Sequence, residues 1–575
     1  YRFLQARGKV NTQIVPDKLA LRLSGAYRKR DGWMQERDPK INDENGIDFY
    51  GGRLGLLYQP KENVEVLVKA YYSEDNKADF TVDYKTPDSG VDRIPIGSDE
   101  VSPEDRAVTY NETSPGFERE DFGGSASINW KMKDGIHKVS SVTAYSDNHT
   151  IFTRDFDASV SNAALLTREA DVNSFSQELR ISTPRENRKF FYVGGLFFLT
   201  DKVVNQDSLA LGSDMGPVWE SIIPNLPSLG DNYFEYTNIN SEITSTSYAA
   251  FLNTSIEVSD RIRINAGGRY TYEEKAIEFT AKPYSPFGIM ALLVSAPVAS
   301  QEAPLERTNT NSIFSGNIGL DFKTTDKTLL YVNFSRGFKG AGYNIGFSSE
   351  QDPAKQAFLF KPEFVNNYEF GLKLKQGNRF LFNAAAFVTD FKDKQEAVAA
   401  GTSLFVSNAK AVQGQGFEAE FIGIWNRFFK TEASLGILNL EYTDFPFPDP
   451  VNSADTINLS GNKALKAPNF TFKFSPEFHA NVGKELKLLV RGDYNFVGKT
   501  YNDIFNTEGL AREATGQINA RISVSTKNER FSVALWGKNL TDETYVQHGW
   551  SFDFGDQVAI NPPRLIGMEL RVNFY

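Results

Sequence analysis

The sequence contains no cysteine in its 575 residues. Disulfides, iron–sulfur clusters and thiolate zinc sites are therefore excluded, and the absence fits an oxidising compartment, where a stray thiol is a liability. Histidine is scarce. His137, His149, His479 and His548 are scattered, with no H-E-x-x-H and no close pair, so they read as hydrogen-bonded imidazoles rather than metal ligands. No Walker A loop and no G-x-S-x-G elbow occurs. A G-x-G-x-x-A at Gly414, Gly416 and Ala419 lies in a stretch that runs on as a strand, whereas a dinucleotide site needs a helix N-terminus there. The sequence offers no catalytic constellation, and the chain reads as a non-enzyme.

Long apolar runs and basic blocks are missing too. No stretch of about 18 apolar residues exists, and the nearest approach, 289–298, is broken by Ser295 and Pro297. A helical membrane protein is thereby excluded. With 62 basic and 73 acidic residues and a net charge of −11, nothing resembles the clustered Lys and Arg that hold nucleic acid. There is no initiator Met and no signal peptide, and Tyr1 falls in the middle of a pattern, so further residues are expected before it.

Aromatics and alternation are abundant. The chain has 46 Phe, 24 Tyr and 6 Trp, yet its mean hydropathy is only −0.39. Period-2 alternation recurs from end to end, while helical periodicity is rare. In the final segment Ile566, Met568, Leu570, Val572 and Phe574 alternate with Gly567, Glu569, Arg571 and Asn573. The same split separates Leu486, Leu488, Val490, Tyr494 and Phe496 from Lys487, Arg491, Asp493 and Asn495.

Alternation alone also describes a soluble sandwich, so the connections decide. Tight polar turns are expected around residues 16–17, 60–62, 134–135, 184–187, 259–260, 325–326, 376–378, 425–427, 483–484 and 527–529. Between them run long excursions at 74–119, 206–242, 281–310, 338–361, 443–468 and 546–561. Short turns at one end and long loops at the other describe an all-β, transmembrane, up-and-down antiparallel β-barrel. These turns give about 21 strands here, and even strand numbers in such barrels give 22 in the intact protein, the first lying upstream of Tyr1. A cylinder that wide is not filled by its own side chains, so it is an open hole or holds a plug. Nothing in 1–575 reads as a plug, and one is expected upstream.

Seven segments taken together resemble the TonB-dependent outer-membrane receptors: 16–33 (PDKLALRLSGAYRKRDGW), 331–344 (YVNFSRGFKGAGYN), 367–375 (NYEFGLKLK), 383–395 (NAAAFVTDFKDKQ), 416–421 (GFEAEF), 537–545 (GKNLTDETY) and 562–575 (PPRLIGMELRVNFY). The resemblance implies active import across a Gram-negative outer membrane of a scarce, bulky ligand, usually a ferric siderophore, otherwise a cobalamin, a saccharide or an aromatic compound. It also implies a plug domain on which the TonB complex pulls. The family pattern closes on an aromatic that the barrel-assembly machinery reads, matched by Leu570, Val572 and Phe574, with Tyr575 one residue extra. A passive porin and a soluble all-β protein are the readings from other classes.

Candidate sites follow, each beside a plainer alternative. Arg491, Asp493, Glu569 and Arg571 face the lumen, where they hold a plug through weak ion pairs or simply solvate a wet channel. Residues 74–120 hold 13 acidic and 5 basic side chains, most of the net charge. Asp99, Glu100, Glu104 and Asp105 within it either repel as a solvated loop or bind a divalent cation such as Ca²⁺, bridging to lipopolysaccharide or ligand. Tyr71, Tyr72, Tyr270, Tyr272 and Tyr494 belong to interfacial girdles against the outer-membrane lipid. Loop aromatics Trp219, Tyr233, Phe234, Tyr236, Phe338, Tyr343, Phe347, Trp550, Phe552 and Phe554 either line a ligand recess or pack the loops. Gly337, Gly340 and Gly342 make 338–347 a candidate gate, or are required by a tight loop entry.

Overall fold

The computed structural model describes residues 1–36, 45–76, 83–85, 107–108, 116–155, 162–183, 189–222, 228–229, 233–287, 305–345, 359–400, 403–449, 455–552 and 555–574. Its framework is a single 21-stranded antiparallel sheet. The strands are β1 (Leu4–Val15), β2 (Leu19–Arg30), β3 (Ile47–Lys61), β4 (Val64–Asp75), β5 (Gly116–Lys131), β6 (Lys138–Asp155) and β7 (Ala164–Ser182). They continue with β8 (Phe190–Leu211), β9 (Glu235–Glu257), β10 (Ile262–Tyr284), β11 (Leu305–Thr325), β12 (Thr328–Lys339), β13 (Glu363–Gln376) and β14 (Phe380–Ala400). The last are β15 (Ser403–Ile424), β16 (Phe429–Asp444), β17 (Phe470–Val482), β18 (Leu486–Val497), β19 (Thr515–Thr526), β20 (Phe531–Lys538) and β21 (Leu565–Val572).

Each strand pairs with its neighbours in sequence, as an up-and-down barrel requires. Nine of the expected tight turns join consecutive strands at their predicted places; the tenth, 184–187, lies outside the described residues but between β7 and β8. Several turns use residues suited to positive φ, with Asp17 at 58°, Gly135 at 66°, Gly377 at 59° and Gly483 at 63°. No helix among the described residues is long and apolar enough to cross a membrane, and the crossing is made by strands.

Pairing keeps the apolar stripe continuous. Val490 stands beside Phe478 and Ile522, and Ile522 beside Leu535, which faces Met568. A charge on this stripe at mid-membrane depth costs about 2–4 kcal/mol, which explains the strictness of the alternation. Tyr72, Tyr270, Tyr272 and Tyr494 are exposed on the outer face as expected. Tyr71 corrects the girdle assignment: neighbouring residues of a strand point to opposite faces, so it turns inward opposite Gly123.

Wall height is uneven. A tilted strand of roughly 9–11 residues spans the membrane, yet β8 has 22 residues and β9 and β10 have 23 each. Residues 206–211, 235–242, 281–284 and 305–310, expected as loop, therefore continue the ladder above the membrane. Strands β14 and β15 are likewise long, with 21 and 22 residues. Helix α1 (Met215–Ile222) sits in the β8–β9 connection. The segments Val546–Phe552 and Gly555–Ile560 make a hairpin that pairs with Asp83–Lys85.

Candidate functional site

The inner face of β16–β21 carries two groups of ion pairs. Arg491 contacts Asp493 at 2.9 Å, Glu432 at 3.2 Å and Glu477 at 3.3 Å. Ser475 donates to Asp493 at 2.6 Å, and Lys430 reaches Glu432 at 2.6 Å. One strand on, Arg521 contacts Glu569 at 3.0 Å and Arg571 the same carboxylate at 3.5 Å. Alternation puts all these groups on one face, and antiparallel register brings them abreast.

Above the tall wall, strand ends and loops bury a shared apolar cluster. Trp219 from α1, Tyr233, Ile239 of β9, Ile277 and Phe279 of β10, Tyr343 and Phe552 meet in it. Tyr233 is only 1% exposed, and its hydroxyl donates to Glu235 at 3.2 Å. Burial raises the Tyr233 phenol, with the Glu235 carboxylate adding to the effect. A second cluster gathers Tyr442, Phe445 and Phe447 with Val398, Val412 and Ile504. Both clusters lie at the end of the barrel opposite the tight turns.

Beside the first cluster the surface changes character. Arg154 at the end of β6 lies over the Trp550 ring, 5.5 Å from its centroid. Trp550 stacks on His548 with centroids 5.8 Å apart and planes within 8°. Lys466 Nζ donates to His548 Nδ1. Lys466 is exposed as a residue, yet enclosure around its ammonium lowers its pKa; burial and the Lys466 charge lower that of His548. Nearby, Arg512 covers the Tyr545 ring at 3.7 Å and bridges Thr500, next to the Tyr501 carbonyl that accepts from the Lys466 amide.

The TonB dependent receptor-like β-barrel family model matches residues 63–540. The chain belongs to that family. The chain is 22% identical over 436 residues to the pesticin receptor of Yersinia pestis, a match covering 76% of this chain and 56% of the relative. Yersinia enterocolitica has a pesticin receptor matching to the same extent. The chain thus spans just over half the length of these curated relatives. In structure it superposes on the ferric yersiniabactin uptake receptor FyuA of Yersinia pestis with a TM-score of 0.78 at 17% identity, covering 99% of this chain and 78% of that one. The siderophore receptor PiuA of Acinetobacter baumannii gives 0.74 at 15% identity, with 99% and 79% covered. These likenesses establish the barrel fold.

The structure separates the predicted ring set. Trp219, Tyr233, Tyr343 and Phe552 are buried in the first cluster, where the packing alternative holds. Tyr236 stacks on Tyr284 at 5.1 Å and shares the outer face with Tyr248, beside the exposed Phe234. Phe338 sits in β12 opposite Phe364. Trp550 remains part-exposed; Phe347 and Phe554 lie outside the described residues, as do Asp99, Glu100, Glu104 and Asp105. The candidate gate is pinned: Lys275 donates to the Ala341 carbonyl at 2.6 Å, Gln395 to that of Gly340 at 2.8 Å, and Asn344 exchanges two bonds with Val406. A Cβ on Gly340 would meet the Glu273 carboxylate at 2.3 Å, and on Gly342 the Phe360 ring at 2.3 Å, so close approach is what these glycines allow.

Every histidine is hydrogen-bonded: His137 to Asp134 at 2.5 Å, His149 to Asp171 at 2.8 Å, His479 to Glu477 at 2.7 Å and His548 to Lys466. His149 also approaches Glu169 at 4.0 Å, which groups three potential metal ligands. The sequence reading missed Glu432, Glu477, Arg521, Arg154, Lys466 and Arg512. The first three lie on inward positions of alternating strands and carried that signal; the others are brought together only by the folding of separate loops.

Proposed function

We propose that this barrel is the membrane part of an energised importer of the Gram-negative outer membrane, taking up a ferric siderophore. The observation that carries the reading is the pair of ion-pair groups on the inner face, one around Arg491 and one around Glu569. Half-exposed pairs of this kind contribute roughly 0–1 kcal/mol each. They suit an interior domain that must be held and released. Membership of the TonB-dependent receptor family and the siderophore-receptor neighbours support the same reading.

The reading includes a plug within the lumen, engaged by TonB, and one further strand. Among the described residues β1 pairs only with β2, and β21 only with β20. A strand between those edges would close the cylinder at an even count. On β21, Ile566, Met568 and Leu570 are 73%, 72% and 67% exposed, and Phe574 is 84% exposed, which suits a terminus offered to assembly machinery.

The test is growth of a deletion strain under iron limitation and on candidate sugars. Failure only under iron limitation, reversed by the gene, is the expected result. Failure only on a sugar would replace the ferric ligand with a saccharide.

A further inference from the structure

The array of Arg154, Trp550, His548 and Lys466 is composed unlike either cluster. Its two rings are parallel at 5.8 Å and are flanked by a guanidinium on one side and an ammonium on the other. Because the ammonium donates to Nδ1, the His548 proton sits on Nε2, which becomes a second donor. Among the described residues no carboxylate pairs with Lys466 or His548, whereas Lys394, Lys430, Arg491 and Arg521 each have one. Lys466 also holds φ at 54°, a left-handed conformation that glycine adopts at less cost. Arg512 over Tyr545 repeats the pairing of cation and ring nearby, and its Nε has no hydrogen-bond partner among the described residues.

A stepped ring surface takes a planar aromatic group by offset stacking, and donors at its edge such as the Lys466 ammonium and His548 Nε2 take anionic oxygen. We propose that these four side chains form a recognition site for a ferric chelate whose iron-binding arms are anionic aryl groups, phenolate or catecholate. This rests on the import reading and narrows its ligand class. The aryl face extends the Trp550–His548 stack, while its oxygens accept from Lys466 and from His548 Nε2. A neutral hydroxamate chelate offers neither feature.

The experiment uses the purified full-length receptor and two probes, ferric tris(2,3-dihydroxybenzoate) and an uncharged ferric trihydroxamate, with affinity read by calorimetry. The wild type is expected to bind the aryl chelate more tightly. Lys466→Met and Trp550→Leu should each weaken it by about tenfold or more, with Lys466→Arg retaining most of the affinity. An unchanged thermal midpoint excludes misfolding as the cause. Equal affinities in all variants, no binding of the aryl chelate, or preference for the hydroxamate would overturn the site. Iron-limited growth of the deletion strain separates the outcomes: a defect there with unaffected variants removes this site and leaves the importer standing.

Discussion

Two ring-bearing regions sit side by side at the long-loop end of the barrel and are built for opposite ends. In the cluster of Trp219, Tyr233, Tyr343 and Phe552 the aromatics are closed off from water and hold loops to strand ends. In the array of Arg154, Trp550, His548 and Lys466 the rings stay part-exposed and alternate with cations. Residue type is shared; enclosure and charge are not. A loop aromatic therefore becomes a binding group when its face is open and its neighbours can receive an anion, and otherwise it packs the loops.

The largest effect expected from breaking this contrast is on the closed side. Trp219→Ala should remove roughly 3–5 kcal/mol of local stability from that cluster, seen as faster hydrogen exchange in 233–245 and 275–284. The barrel itself should keep its thermal midpoint. Loss of chelate binding with exchange unchanged would merge the two regions into one.

Arg491→Met comes next. It leaves Glu432, Glu477 and Asp493 without their shared cation, and a loss of about 1–2 kcal/mol is expected after allowance for solvent screening. The midpoint should fall most at low salt. Equal midpoints at all salt concentrations would show that the inner network contributes nothing.

A smaller effect should appear with pH at Asp503. Its Oδ1 accepts from the Thr507 amide at 2.9 Å, its Oδ2 has no hydrogen-bond partner among the described residues, and burial raises its pKa. A raised carboxyl takes up a proton more readily in the folded loop than in the open one. Stability of 500–510 should therefore increase as pH falls from above the raised pKa towards the ordinary carboxylate value. Hydrogen exchange that slows on acidification in the wild type, and loses that dependence in Asp503→Asn, is the expected outcome.

The smallest effect belongs to the open side: Lys466→Met should change stability by less than about 0.5 kcal/mol. A large fall in midpoint would make Lys466 a structural residue and erase the contrast.

Much of the framework was legible because strands write their faces in period 2 and their turns in Asp, Asn, Gly and Pro. Ile566 to Leu570 shows the first signal, and Asp134–Gly135 the second. Strand extension above the membrane was hidden by polar composition. Even so, Ile277, Phe279 and Ala281 keep the alternation there and are buried. The array was not legible: Lys466 and His548 are 82 residues apart, and each looks unremarkable in its own segment. Only the packing of separate loops makes them one surface, and no local pattern encodes that. Burial of Trp219 against Tyr343 was hidden for the same reason.

The most direct test of energised import is radioactive iron uptake from a ferric chelate by cells carrying the full-length gene, with and without an energised inner membrane. Uptake that saturates and stops when the proton gradient is collapsed is the predicted result. Uptake that continues undiminished in de-energised cells would mark an open pore and contradict it.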